Sequence, residues 1–153
     1  MSSSNNHQAP PRLGHLHVAL ELEIPSDVRY IEHVVEIVRW QCQQLQYNAR
    51  QCALNVPVAL TEALSNAILR GNRERPDRSV QVRADVNRDR LVVEIVDEGT
   101  GFDLEECLVD ATRPENLFRE DGRGLFLMAR LMDRVERYSN RGNVIRMTLR
   151  RHD

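Results

Sequence analysis

The chain has 153 residues, 41% hydrophobic and 29% charged, with a formal charge of -2, a balance that suits one globular domain with a real core. Acids are interspersed among the arginines and no block of like charge stands out, so neither direct nucleic-acid binding nor attachment to an anionic membrane is expected. Three cysteines, Cys42, Cys52 and Cys107, lack C-x-x-C spacing, which argues against a disulfide framework and a zinc site, and the absence of a basic leader or a run of 18 apolar residues points to a soluble cytoplasmic protein.

Residues 1–14 are polar and contain Pro10 and Pro11, too little apolar surface to offset their ordering entropy, and they are expected to form a disordered tail. From residue 15 to residue 150 the pattern predicts a single domain. Leu16, Val18, Leu20, Leu22 and Ile24 alternate strictly, as in a strand with one face on a core, and Pro25 ends it. Ser26-Asp27 reads as a helix entry, followed by Val28, Ile31, Val34, Val35, Val38, Cys42 and Leu45 at helical spacing. His33 on that helix reads as a surface histidine.

A second helix starts between Asn48 and Pro57 and runs to Leu69, with Gly71 as its stop. Pro57 is tolerated only near a first turn, so the important part begins around Asn55. Ser79 to Val86 and Leu91 to Asp97 form a hairpin around Asn87-Arg88-Asp89-Arg90. Residues 104–109 suit a short helix, and residues 110–121 carry Pro114 with little periodicity and read as a mobile lid. Gly124 to Met132 is a third helix, and Arg134 to Ser139 with Val144 to Arg150 a second hairpin around Asn140-Arg141-Gly142-Asn143. Hairpins interleaved with helices predict an α+β two-layer sandwich, a mainly antiparallel mixed sheet with helices on one face.

Three clusters stand out in order: Glu62-Ala63-Leu64-Ser65-Asn66, Asp97-Glu98-Gly99-Thr100-Gly101-Phe102 and Gly122-Arg123-Gly124-Leu125-Phe126. Glu62 and Asn66 face the same side of one helical turn. An amide oxygen suits Mg²⁺, which takes few protein ligands, and a carboxylate beside it can accept the proton of an attacking hydroxyl. Asp97 at a strand end can accept a hydrogen bond from the exocyclic amine of adenine. Gly99 and Gly101 allow close backbone approach, and Gly122 and Gly124 open a helix whose free N–H groups favour phosphate.

Together these boxes resemble those of the Bergerat-fold ATPases, the class of gyrase B, Hsp90 chaperones and histidine kinases, and most closely the short anti-sigma-factor serine/threonine kinases of bacterial partner-switching systems. The resemblance covers residues 15–150. It implies an ATP- and Mg²⁺-dependent kinase that phosphorylates a STAS-type antagonist protein, sequesters a sigma factor or other regulator, and forms a homodimer, with the first strand and first helix as the expected surface. It assigns Glu62 as general base, Asn66 as metal ligand, and Asp97, Gly99, Gly101, Phe102, Gly122, Arg123, Gly124, Leu125 and Asn143 to the nucleotide. Arg70 stands where several relatives have His, and Asn143 follows Gly142 where many have Thr. Glu120-Asp121 is an unusual neighbour for a triphosphate. Two alternatives remain open: a sequestering module without phosphotransfer, ATP-binding or not, and a detached histidine-kinase catalytic domain.

Overall fold

A computed structural model of the chain describes residues 16–99 and 120–153. The expected tail at 1–14, the short helix at 104–109, lid residues 110–119, and Gly101, Phe102 and Cys107 lie outside that range.

Five strands form one sheet in the order β1-β2-β3-β5-β4, from β1 (His17–Pro25), β2 (Ser79–Asn87), β3 (Arg90–Asp97), β4 (Arg134–Ser139) and β5 (Asn143–Arg150). All four pairings are antiparallel among the described residues. Alternation decides the two faces: Val80, Val82, Ala84 and Val86 of β2 and Leu91, Val93 and Ile95 of β3 are buried, while Gln81, Arg83 and Asp85 between them are exposed. In β1 the same face is only half-buried at Val18, Leu20 and Leu22, because β1 is an edge strand. Its ladder to β2 runs from His17 opposite Asn87 to Pro25 opposite Ser79.

Among the described residues three helices cover the buried face. A short 3₁₀ turn at Val28–Tyr30 precedes α1 (Ile31–Gln44), with Asp27 accepting the Arg29 backbone N–H at 2.9 Å as its cap. Val34, Val35, Val38, Cys42 and Leu45 face inward as the spacing predicts, but Val28 is 46% exposed because it belongs to the 3₁₀ turn and not to the helix stripe. His33 is exposed. Cys42 and Cys52 are buried free thiols, and burial pushes Cys42 up to about 12, so it acts as a core side chain rather than a nucleophile.

The second helical segment differs most from expectation. It is continuous from residue 49 to Gly71, with α2 (Val56–Ser65) flanked by wide π turns at Gln51–Asn55 and Asn66–Gly71. A reciprocal capping box starts it: Asn48 Oδ1 accepts the Gln51 N–H at 2.8 Å and Gln51 Oε1 accepts the Asn48 N–H at 3.3 Å. Pro57 therefore lies inside a longer helix, where the preceding π turn relieves the crowding that a proline ring imposes on an α turn. By length and composition Gln51–Gly71 qualifies as a membrane-spanning segment, yet Val56, Ala59, Leu60, Ala63, Leu64, Ala67 and Ile68 are core residues of this fold.

The third helix, α3, spans Glu120–Leu131. Residues 120 and 121, expected in the lid, are its first residues, and Gly122 lies within its first turn instead of opening it. Asn55 Nδ2 donates to the Leu131 carbonyl at 2.7 Å, fastening the far end of α3 to the start of α2.

Candidate functional site

At the end of β3, register places Asp97 opposite Asn143, the first residue of β5. Both lie on the helix-covered side and are 7% and 5% exposed. Asp97 Oδ1 accepts the Gly99 N–H at 2.8 Å and Asn143 Nδ2 at 2.9 Å. Burial raises the Asp97 carboxyl above its ordinary value, and the donors from Gly99 and Asn143 draw it partly back.

Space for that carboxylate comes from glycines. A Cβ at Gly71 would stand 2.2 Å from Asp97 Oδ2, so the end of the helical segment packs directly on the acid. Gly142 has φ +144°, and a Cβ there would meet the Asp97 carbonyl oxygen at 2.1 Å, so the turn into β5 requires glycine for conformation and for space. Asn72, fully buried, fixes the next residue: its Oδ1 accepts the Glu98 N–H at 2.8 Å, while its Nδ2 donates to Ser26 Oγ at 2.9 Å and the Ser79 carbonyl at 2.8 Å. Glu98 in turn accepts the Ser79 N–H at 2.6 Å.

The other end of the site lies on α2. Glu62 and Asn66, both half-buried, converge on Gly124 of α3, where a Cβ would stand 3.0 Å from Glu62 Oε2 and 3.2 Å from Asn66 Nδ2. Removing that Cβ leaves a cradle lined by one carboxylate and one amide. Among the described residues no group of three or more His, Cys, Asp or Glu side chains could enclose a metal, and a cation here would take one or two protein oxygens, as suits Mg²⁺ with phosphate and water. Along the helix axis Glu62 and Gly71 are about 13 Å apart, so the Glu62–Asn66 pair and the Asp97 end are two stations on one rod. Arg123 is exposed on α3, and Leu125 is buried with the core.

The structure thus brings together Glu62 with Asn66 and Gly124, and Asp97 with Gly99 and Asn143. Sequence reasoning missed Gly71 as the floor under Asp97 and Asn72 as the anchor of the following turn. Gly71 carried a signal, but for a helix stop; Asn72 carried none, since its partners lie 46, 7 and 26 residues away. A hollow of about 820 Å³ lies elsewhere, on the uncovered sheet face, among the alternating charges of Glu21, Arg83, Asp85, Glu94 and Arg146.

Comparison with known proteins gives this geometry a context. The pattern of the family described as "Histidine kinase-like ATPase domain" matches residues 24–149. The chain is 29% identical over 134 residues to the serine-protein kinase RsbW of Bacillus velezensis, covering 84% of this chain and 83% of that protein. It is 27% identical over 134 residues to the serine-protein kinase RsbW of Bacillus subtilis, with the same coverage. To the anti-sigma F factor of Clostridium beijerinckii it is 30% identical over 100 residues, 63% of this chain and 68% of that protein. Among solved structures, the mycobacterial sensor histidine kinase MprB superposes with a TM-score of 0.54 over 90% of this chain and 99% of that one, at 16% identity, a likeness of fold.

Proposed function

Since the chain belongs to the histidine kinase-like ATPase domain family, we propose that it is a serine/threonine protein kinase that binds Mg-ATP, phosphorylates a STAS-type antagonist protein and sequesters a sigma factor or another regulator. The observation that carries this reading is the pairing of Glu62 with Asn66 at Gly124, on the same helical rod whose end cradles Asp97. Relatives named as serine-protein kinases and as an anti-sigma F factor favour serine transfer and sigma-factor binding over a histidine acceptor.

In this reading Asp97 and Asn143 hold the base, Gly99 and Gly101 let it approach, and the Gly122 to Gly124 backbone at the start of α3 faces the phosphates. Arg123 adds positive charge beside them. Asn66 holds Mg²⁺, which supplies neutralisation of phosphate charge when bound. Glu62 accepts the proton of the substrate hydroxyl as its oxygen forms a bond to the γ-phosphorus; the bond to the bridging oxygen breaks and ADP leaves. The half-buried edge strand β1 with α1 forms the surface for a homodimer in the cytoplasm.

The test is transfer of labelled phosphate from ATP to a STAS-type protein, compared with Glu62→Gln. Acid-stable label on serine or threonine, reduced about a hundredfold or more in the variant with ATP affinity kept, is expected. Acid-labile label on histidine would replace this reading with a detached histidine-kinase domain. Sigma-factor binding without any transfer would leave a sequestering module.

A further inference from the structure

Ser26 lies in the turn between β1 and α1, is 6% exposed, and has no part in the chemistry proposed above. Its hydroxyl donates to the Arg78 carbonyl at 2.6 Å and accepts one N–H of the Asn72 amide at 2.9 Å. The other N–H of that amide goes to the Ser79 carbonyl at 2.8 Å, and its oxygen accepts the Glu98 N–H at 2.8 Å. Both amide hydrogens and the amide oxygen are thus committed, so Asn72, fully buried, is held in one orientation. The bonds run head to tail from the Glu98 N–H through Asn72 and Ser26 to the Arg78 carbonyl, an arrangement in which each bond polarises and strengthens the next.

This chain of bonds joins two places far apart in sequence. One is the turn after β3, where the Gly99 N–H folds back on Asp97. The other is the entry to α1, where the Asp27 N–H donates to the Pro25 carbonyl at 2.8 Å and the Asp27 carboxylate caps the 3₁₀ turn. Resting on the nucleotide reading above, we propose that Ser26 and Asn72 are positioning residues that carry nucleotide occupancy at residues 97–99 to the start of α1. A ligand that orders the turn after β3 also orders the Glu98 N–H, and a fully committed amide passes that restriction on to Ser26.

The N–H groups of Arg29, Tyr30 and Ile31 are bonded to Asp27 and Val28, so their hydrogen exchange reports opening of the α1 entry. Exchange at residues 29–31 is followed with and without saturating Mg-ATP in the wild type, Ser26→Ala and the isosteric pair Ser26→Thr and Ser26→Val. Calorimetric ATP affinity and thermal unfolding are measured on each. ATP is expected to slow this exchange about fivefold or more in the wild type and in Ser26→Thr, which keeps the hydroxyl. In Ser26→Ala and Ser26→Val the slowing is expected to shrink below about twofold while ATP affinity stays within about threefold of the wild type. Slowing retained in a folded variant without the hydroxyl, or a wild type that binds ATP with unchanged exchange here, overturns the inference and leaves the nucleotide reading standing. A wild type that binds no ATP overturns both.

Discussion

Replacing Gly71 with alanine tests whether the end of the helical segment sets the position of Asp97, the acid proposed to read the base. The added carbon would stand 2.2 Å from Asp97 Oδ2, 2.3 Å from Cγ and 2.7 Å from Oδ1, whereas non-bonded carbon contacts settle near about 3.5–4.0 Å. Something must move by more than about 1 Å. The carboxylate cannot withdraw freely, because Gly99 N–H and the Asn143 amide hold its Oδ1. Nor can the helix end, since the adjacent Asn72 is tied to Ser26, Ser79 and Glu98. Overpacking of this kind costs about 1–3 kcal/mol, which for a domain of this size lowers Tm by about 2–12 °C. ATP affinity should fall at least about tenfold, because an acceptor displaced by 1 Å no longer meets its donor at hydrogen-bonding distance. Thermal unfolding and calorimetric titration with Mg-ATP read the two effects. A Gly71→Ala protein with unchanged Tm and ATP affinity would refute the packing of the helix end on Asp97.

Gly124→Ala probes the opposite station: with its Cβ 3.0 Å from Glu62 Oε2 and 3.2 Å from Asn66 Nδ2, phosphate transfer should drop more than ATP affinity, and equal losses in kcat and affinity would contradict the separation of roles. Burial raises the Asp97 carboxyl above 3.8 in the folded protein, so its ionisation is a cost to stability that is absent below the unfolded value and fully present once pH rises through the folded one. Binding needs the ionised acceptor, so ATP affinity should decline on acidification at a pH above the ordinary Asp value, and Asp97→Asn should bind ATP weakly at every pH; titrations across about pH 4–7 check this. Asn72→Ala would leave the part-buried Glu98 N–H and Ser79 carbonyl without the partners they now have, lowering stability by about 1–2 kcal/mol in urea unfolding; a loss below about 0.5 kcal/mol would show that water replaces the amide.

Much of the architecture was legible because it rests on local period. Strict alternation in β1 and the polar turn between β2 and β3 made the strands readable, and the apolar stripe from Val34 to Leu45 marked the inner side of α1. The Glu62 and Asn66 pair was equally accessible, since four residues of helix place both on one face. The second helix starts at the near end of the range expected between Asn48 and Pro57, where Asn48-x-x-Gln51 forms a capping box, while Pro57 drew the expected important part toward Asn55. Periodicity near 3.6 also cannot reveal a π turn, so the wide turns on either side of α2 emerged only in three dimensions. The contact of Asn143 with Asp97 depends on which residues of β3 and β5 face each other, and strand register is not written in either strand alone.

The rod from residue 49 to Gly71 also constrains which insertions and deletions this chain can accept. Each α-helical residue advances the chain by about 1.5 Å and turns it by about 100°, so adding or removing one residue between Glu62 and Gly71 would swing the carboxylate away from Gly124 or drag the glycine from beneath Asp97. The wide turn at Asn66–Gly71 offers one route of escape: a helix absorbs a single extra residue by forming a π turn and recovers its phase beyond it. Related chains that differ in length here should therefore change by converting that turn to α-helix or back.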